Sequence, residues 1–173
     1  MHHGKITPEV AKGLLALRKR IAAAQIPSSK LDETINVAVW NIREFGKKRR
    51  TEAAIHYIAE ILGQFDLVAI VERRDYLTDL GRVLPILWPS WDVVYSDWNT
   101  DSGGNSERTA FLFDGRAVIF NGMAAEIDAP REKKGTEYLA NLSFWRPPYM
   151  CSFRSGNFDF TAIRYEKDGP RAT

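Results

Sequence analysis

DLVAIVERRD, residues 66–75, decides the fold class. Its apolar run, Leu67 to Val71, is too short for a buried helix. A run that apolar fits a strand covered on both faces, as in a sheet with layers packed above and below. Upstream lies a second strand, Ile35 to Trp40, with β-branched Ile35, Val37 and Val39 at period two and Asn41 closing it. Between the two, residues 51–65 carry Ala54, Ile58, Ile61, Leu62 and Phe65 as one helical stripe. Early strands alternate with helices here, the pattern of an α/β or α+β class with a mixed sheet. A further helix is predicted from Tyr76 to Leu84, stopped by Pro85.

Beyond residue 90 the pattern changes. Trp91 to Tyr95 reads as a strand, and the segments Arg108–Phe113 and Arg116–Phe120 read as a hairpin turning at Asp114-Gly115. A second hairpin is predicted from Pro148–Phe153 and Phe158–Ile163 through Ser155, Gly156 and Asn157, and residues 128–138 read as a charged loop. At the other end, Thr7 is a helix cap and Pro8 the first helical position of a segment reaching Gln25, with Val10, Leu14, Leu17 and Ile21 as its stripe. The division expected is an N-terminal helix and linker, residues 1–34, and a domain over 35–173. The class is α/β (α+β) with a mixed sheet.

Composition narrows the function classes. The chain has 173 residues, 45% hydrophobic and 27% charged, which describes an ordinary globular protein and neither a disordered nor a fibrous one. Its formal net charge of +2 does not by itself demand nucleic acid. One cysteine, Cys151, excludes an internal disulfide and is expected as a small buried strand residue. No apolar run approaches the roughly 20 residues of a membrane helix, and no secretory h-region is visible, so no membrane association and a cytoplasmic location are expected. His2 and His3 receive no role, and His56 is expected as an exposed or half-buried structural residue of its helix.

Two polar residues stand where apolar strands end, Asn41 after VAVW and Glu72 after LVAIV. Strand ends of layered α/β domains line the crevice where such folds place their sites. One carboxylate and one amide oxygen suit magnesium, which takes hard oxygen ligands and keeps several waters.

The strings VAVWNIREFG, DLVAIVERRD, NSERTAFLFD, FWRPPYMCSF and FDFTAI resemble, in order and spacing, the N-terminal half of the endonuclease/exonuclease/phosphatase family, over residues 35–163. That resemblance implies a DNase I-like two-sheet β-sandwich flanked by helices, here truncated and with an extra N-terminal helix. It also implies a divalent-metal-dependent phosphodiester hydrolase using Mg2+ or Mn2+, with DNA the favoured substrate. By the same resemblance Glu72 ligates the metal and Asn41 helps organise metal and phosphate. Glu107 orients a catalytic histidine, and Arg146 contacts substrate phosphate. Arg43 and Arg73 are further phosphate candidates in the basic segments. A homodimer or a complementing C-terminal half is the expected partner besides nucleic acid.

The chain departs from the family pattern at definite places. Val71 stands where a glutamine usually precedes the metal glutamate, and FTAIRYEKDG replaces the strand that should run into a histidine. No histidine follows His56, and the later Gly-Asp-x-Asn and Ser-Asp-His motifs do not occur. The alternative is therefore a catalytically inactive remnant that binds nucleic acid or protein. Asp101-Ser102-Gly103-Gly104 resembles a serine-protease nucleophile loop but lacks the preceding glycine. Gly46-Lys47 lacks the glycine a P-loop needs five residues earlier. Both are set aside. The basic run Lys47–Arg50 reads as a solvated loop or a phosphate-backbone contact.

Overall fold

The apolar run of residues 67–71 forms the middle of β2 (Leu67–Arg73), an inner strand of a four-stranded mixed sheet in the computed structural model. Residues 1–30, 33–42, 45, 49–73, 78–87, 89–96, 107–127, 133–134, 137–138 and 147–165 are described, with the backbone alone given for 71–73, 107, 133–134 and 137–138. β2 pairs in parallel with β1 (Val37–Asn41) and antiparallel with β4 (Glu107–Asp114), and β4 pairs with β3 (Trp91–Tyr95), giving the order β1-β2-β4-β3. A second, antiparallel sheet contains β5 (Ile119–Glu126), β8 (Tyr149–Ser155) and β9 (Phe158–Arg164) in the order β5-β8-β9. Two short strands, β6 (Lys133–Lys134) and β7 (Glu137–Tyr138), pair with each other within the segment expected as loop.

Strand alternation divides the core in two. Val68 and Ile70 of β2, with Ala110 and Leu112 of β4, pack beneath the helices α2 (Glu52–Leu62) and α3 (Thr78–Leu87). The intervening residues, Leu67, Ala69, Phe111 and Phe113, meet Tyr149, Cys151 and Phe153 of the second sheet. β2 is thus covered on both faces, which is why its sequence shows no polar alternation. The result is three layers, helices on sheet on sheet, an α+β architecture of the DNase I-like kind.

Three sequence expectations need correction. The buried face of α2 is Ile55, Ile58, Ala59 and Leu62, with His56 and Glu60 also buried, whereas Ala54 and Ile61 lie at the margin. This helix is covered by the sheet on one side and by α1 (Pro8–Ala23) on another, so a single stripe underestimates its burial. Next, α3 runs through Pro85 to Leu87. The proline forfeits one hydrogen bond near the helix end, and burial of Ile86 and Leu87 offsets that loss.

The third correction concerns Asp114-Gly115, which is a corner between sheets and not a hairpin. The N–H groups of Ala117 and Val118 both donate to the Asp114 carbonyl, and the Gly115 N–H donates to Ser90. That winds the chain through a helical turn, so β5 leaves β4 and joins β8. The Asp114 carboxylate accepts from the Arg116 backbone and guanidinium. Burial opposes its ionisation, but the Arg116 bonds outweigh that and hold it below the usual carboxylate range. The second expected hairpin forms, with its first strand running on to Ser155, which faces Phe158 across Gly156-Asn157, Gly156 at φ 55°.

α1 begins as its sequence indicates, the Thr7 hydroxyl accepting from the Val10 N–H at 3.3 Å. Of its expected stripe Val10 and Leu14 are buried, and the helix packs on α2. Glu60 of α2 accepts two bonds from Arg18, at 2.7 and 3.1 Å, and one from His3 Nε2 at 2.7 Å. His3 Nδ1 and His56 Nδ1 stand 2.9 Å apart. His3 therefore has a structural role the sequence did not suggest, and His56 is a buried member of the same network. Where α1 meets Tyr57 of α2, a Cβ on Gly13 would overlap the Tyr57 hydroxyl and lie 2.5 Å from its Cζ. In an exposed helix Gly→Ala gains up to about 1 kcal/mol. Here Gly13→Ala is expected to cost about 1–3 kcal/mol through overpacking. Gly13→Ala combined with Tyr57→Ala should recover most of the lost melting temperature.

Candidate functional site at one end of the sandwich

Strand register gathers the residues singled out in the sequence. Asn41, the last residue of β1, is the partner of Val71, and Val71 is the partner of Thr109. One position further out, Glu72 faces Arg108, and beyond that Arg73 faces Glu107. Adjacent strands lie about 4.8 Å apart, so the backbones of Asn41, Glu72, Arg73 and Glu107 occupy neighbouring positions at one edge of the sheet. Parallel pairing of β1 with β2 sends both chains toward this edge, while antiparallel β4 starts from it. Arg43 and Arg146 lie outside the described residues. Pro147 and Pro148, which follow Arg146, lead into β8 at Tyr149.

The described side chains give this end a definite chemistry. Asn41 is exposed. Thr109 is 5% exposed and doubly tied to Ser96, its N–H donating to the Ser96 hydroxyl at 3.1 Å and its carbonyl accepting from the Ser96 N–H at 2.9 Å. Arg108 lays its guanidinium over the Tyr95 ring, 5.8 Å from the centroid, and its Nε is buried without a hydrogen-bond partner. From the second sheet Arg164 reaches across, its Nη1 donating to the Thr109 hydroxyl at 3.4 Å. Arginines 108 and 164 were not picked out in the sequence. The signal for Arg164 was its place in β9, where it continues the inward stripe of Phe160 and Ala162.

For a metal, the donor chemistry consists of one carboxylate residue, Glu72, and one amide residue, Asn41, at adjacent strand ends. Hard oxygen donors in that number fit a magnesium-type cation that keeps most of its water. Among the described residues no group of three or more His, Cys, Asp or Glu side chains is arranged to hold a metal.

Other polar features serve the fold. Arg50 of the basic run stacks over Phe45, 5.5 Å from the ring centroid, and its carbonyl accepts from Arg82. Cys151 is fully buried, and burial pushes its thiol up, away from nucleophilic character. His56 is committed to the α1–α2 network. No helix among the described residues is long and apolar enough to cross a membrane.

Two layered sheets with helices on one face, and a polar edge built from the ends of β1, β2, β4 and β9, define a DNase I-like architecture. The sequence is similar to deoxyribonuclease-1 of Homo sapiens, 28% identical over 134 residues that make up 76% of this chain and 45% of that protein. It is likewise similar to deoxyribonuclease-1 of Equus caballus, 29% identical over 134 residues, and of Rattus norvegicus, 28% identical over 137 residues. The chain spans a little under half the length of these relatives. No family model matches it.

Proposed function

We propose that the chain forms the phosphate- and metal-binding end of a divalent-metal-dependent phosphodiester hydrolase acting on DNA, a DNase I-like endonuclease. The observation that carries this reading is the register that sets Asn41, Glu72 and Glu107 on adjacent strand ends, in a chain similar to deoxyribonuclease-1. In it Glu72 and Asn41 hold Mg2+ or Mn2+. Such an ion, when bound, stabilises negative charge developing on phosphoryl oxygens. Arg146, with Arg43 and Arg73, neutralises phosphates of the DNA backbone, the guanidinium fork matching two phosphate oxygens. Glu107 orients a catalytic histidine, a residue type that does not follow His56 in these 173 residues.

Supercoiled plasmid incubated with the protein and Mg2+ or Mn2+ tests the proposal. Nicking is expected to stop with a chelator. Glu72→Ala, which removes the carboxylate, should lower the rate about 10- to 100-fold, a transition-state loss of about 1.4–2.7 kcal/mol. Well-folded protein that neither nicks nor binds DNA at any metal concentration, alone or with a complementing half, would sink it.

A further inference from the structure

We propose that Arg164 is a substrate-contact residue that grips a phosphodiester from the side of the second sheet. This deepens the function proposed above and rests on it for the identity of the ligand. Arg164 ends β9 and shares its inward face with Phe160 and Ala162, which pack into the inter-sheet core. A guanidinium at the end of an apolar stripe carries a desolvation cost, so its placement requires compensation. The structure supplies a rigid anchor. Thr109 is buried and bonded to Ser96 through both N–H and carbonyl, and its hydroxyl accepts from Arg164 Nη1 across 55 residues of sequence. On the other side, Tyr149 is the ladder partner of Arg164, and its ring stacks on Phe111 at 5.8 Å. The arginine is therefore held on a fixed hydroxyl.

Position decides what it holds. Thr109 sits in the row Asn41–Val71–Thr109, one residue from Arg108, the partner of Glu72, and two from Glu107. Arg164 thus brings a permanent positive charge from the second sheet to the edge where the first sheet ends in Asn41, Glu72 and Glu107. A guanidinium stays protonated at any working pH, so its contribution is charge and a five-donor fork, not proton transfer. A phosphodiester is the ligand class that matches a guanidinium fork at this end of the sandwich. The competing account makes Arg164 only a structural counter-charge for the neighbouring carboxylates.

The test follows the Nε–H resonance of Arg164 in 15N-arginine-labelled protein during titration, first with inorganic phosphate and then with a short DNA duplex. The assignment comes from Arg164→Lys. Saturable shifts are expected with both probes. Arg164→Gln should weaken duplex binding about tenfold and lower the salt slope by about one counterion, and Arg164→Lys should restore the slope but not the full affinity. A resonance that neither probe moves, or an Arg164→Gln protein that binds both as the wild type does, overturns the assignment even if DNA cleavage holds. Saturable phosphate binding lost in Arg164→Gln, without any duplex binding by the wild type, keeps the phosphate site and removes the DNA reading. Because the titration uses wild-type protein, poor folding of Arg164→Gln does not blunt it.

Discussion

Phe153→Ala is expected to destabilise the protein by about 3–5 kcal/mol, the range for emptying a fully buried aromatic site. Phe153 has no exposed surface and stands where the two sheets meet. Four rings surround it: Phe111 and Phe113 of β4 at 5.9 and 5.6 Å, Phe120 of β5 at 5.9 Å, and Phe160 of β9 at 5.9 Å. No neighbour can move into the void without leaving its own strand register, so the cavity term adds to the lost transfer energy. The damage should also be selective. Phe153 anchors the second sheet, whereas the helix-side core of Val68, Ile70 and Leu112 is separate. Hydrogen exchange should rise first in β5, β8 and β9, with β2 protected longer. Phe153→Leu, which keeps most of the volume, should lose well under half as much. Equal loss of protection in both sheets would show that the two cores unfold as one unit.

The two cores also explain what the sequence could reveal. Residues 67–71 announced a doubly covered strand because both faces need apolar side chains, and the structure covers both. The alternation of early strands with helices followed from local pattern alone, whereas the parallel pairing of β1 with β2 emerged only in the structure. Asp114-Gly115 misled because a turn signal says that the chain reverses, not which partner the next strand finds. That choice depends on Asp66 and Ser90, 48 and 25 residues or fewer upstream of the turn, whose carbonyls fix its geometry. Pro85 misled for a related reason: local propensity ends the helix there, but the burial of Ile86 and Leu87 outweighs it. At the candidate site, Asn41 and Glu72 stood out in the sequence because each interrupts an apolar strand. Arg164 did not, since its meaning lies in Thr109, reached only when the sheets stack. His3 escaped notice in the same way, because its partners lie on α2, more than 50 residues away.

Acid should loosen the N-terminal helix, and Glu60→Ala should release it outright. Glu60 is 3% exposed and carries Arg18 and His3 on its two oxygens. Burial opposes its charge, yet the bonds from Arg18 and His3 outweigh that and hold its pKa below the usual carboxylate value of 4.5. Removing a buried partner typically costs 3–5 kcal/mol, and because the Arg18 side chain is about half exposed the expected loss is about 2–3 kcal/mol. His56 shifts the other way in charge preference: burial, and then the neighbouring His3, push its pKa below 6.5. The geometry gives the reason. With the two Nδ1 atoms 2.9 Å apart, one must accept, so the folded pair holds at most one positive charge. The unfolded chain protonates His56 more readily than the folded one, and stability therefore falls as pH drops below about 6.5. The Glu60 contribution is full above its unfolded value and is lost only at lower pH, as the carboxylate protonates in the folded protein. The melting temperature should thus decline in two steps, the first between pH 7 and 5. Because the protein has three histidines and His56 is the one held low by burial, His56→Gln should flatten that first step and leave the second. A melting temperature equally steep between pH 7 and 5 in His56→Gln would assign the acid sensitivity elsewhere.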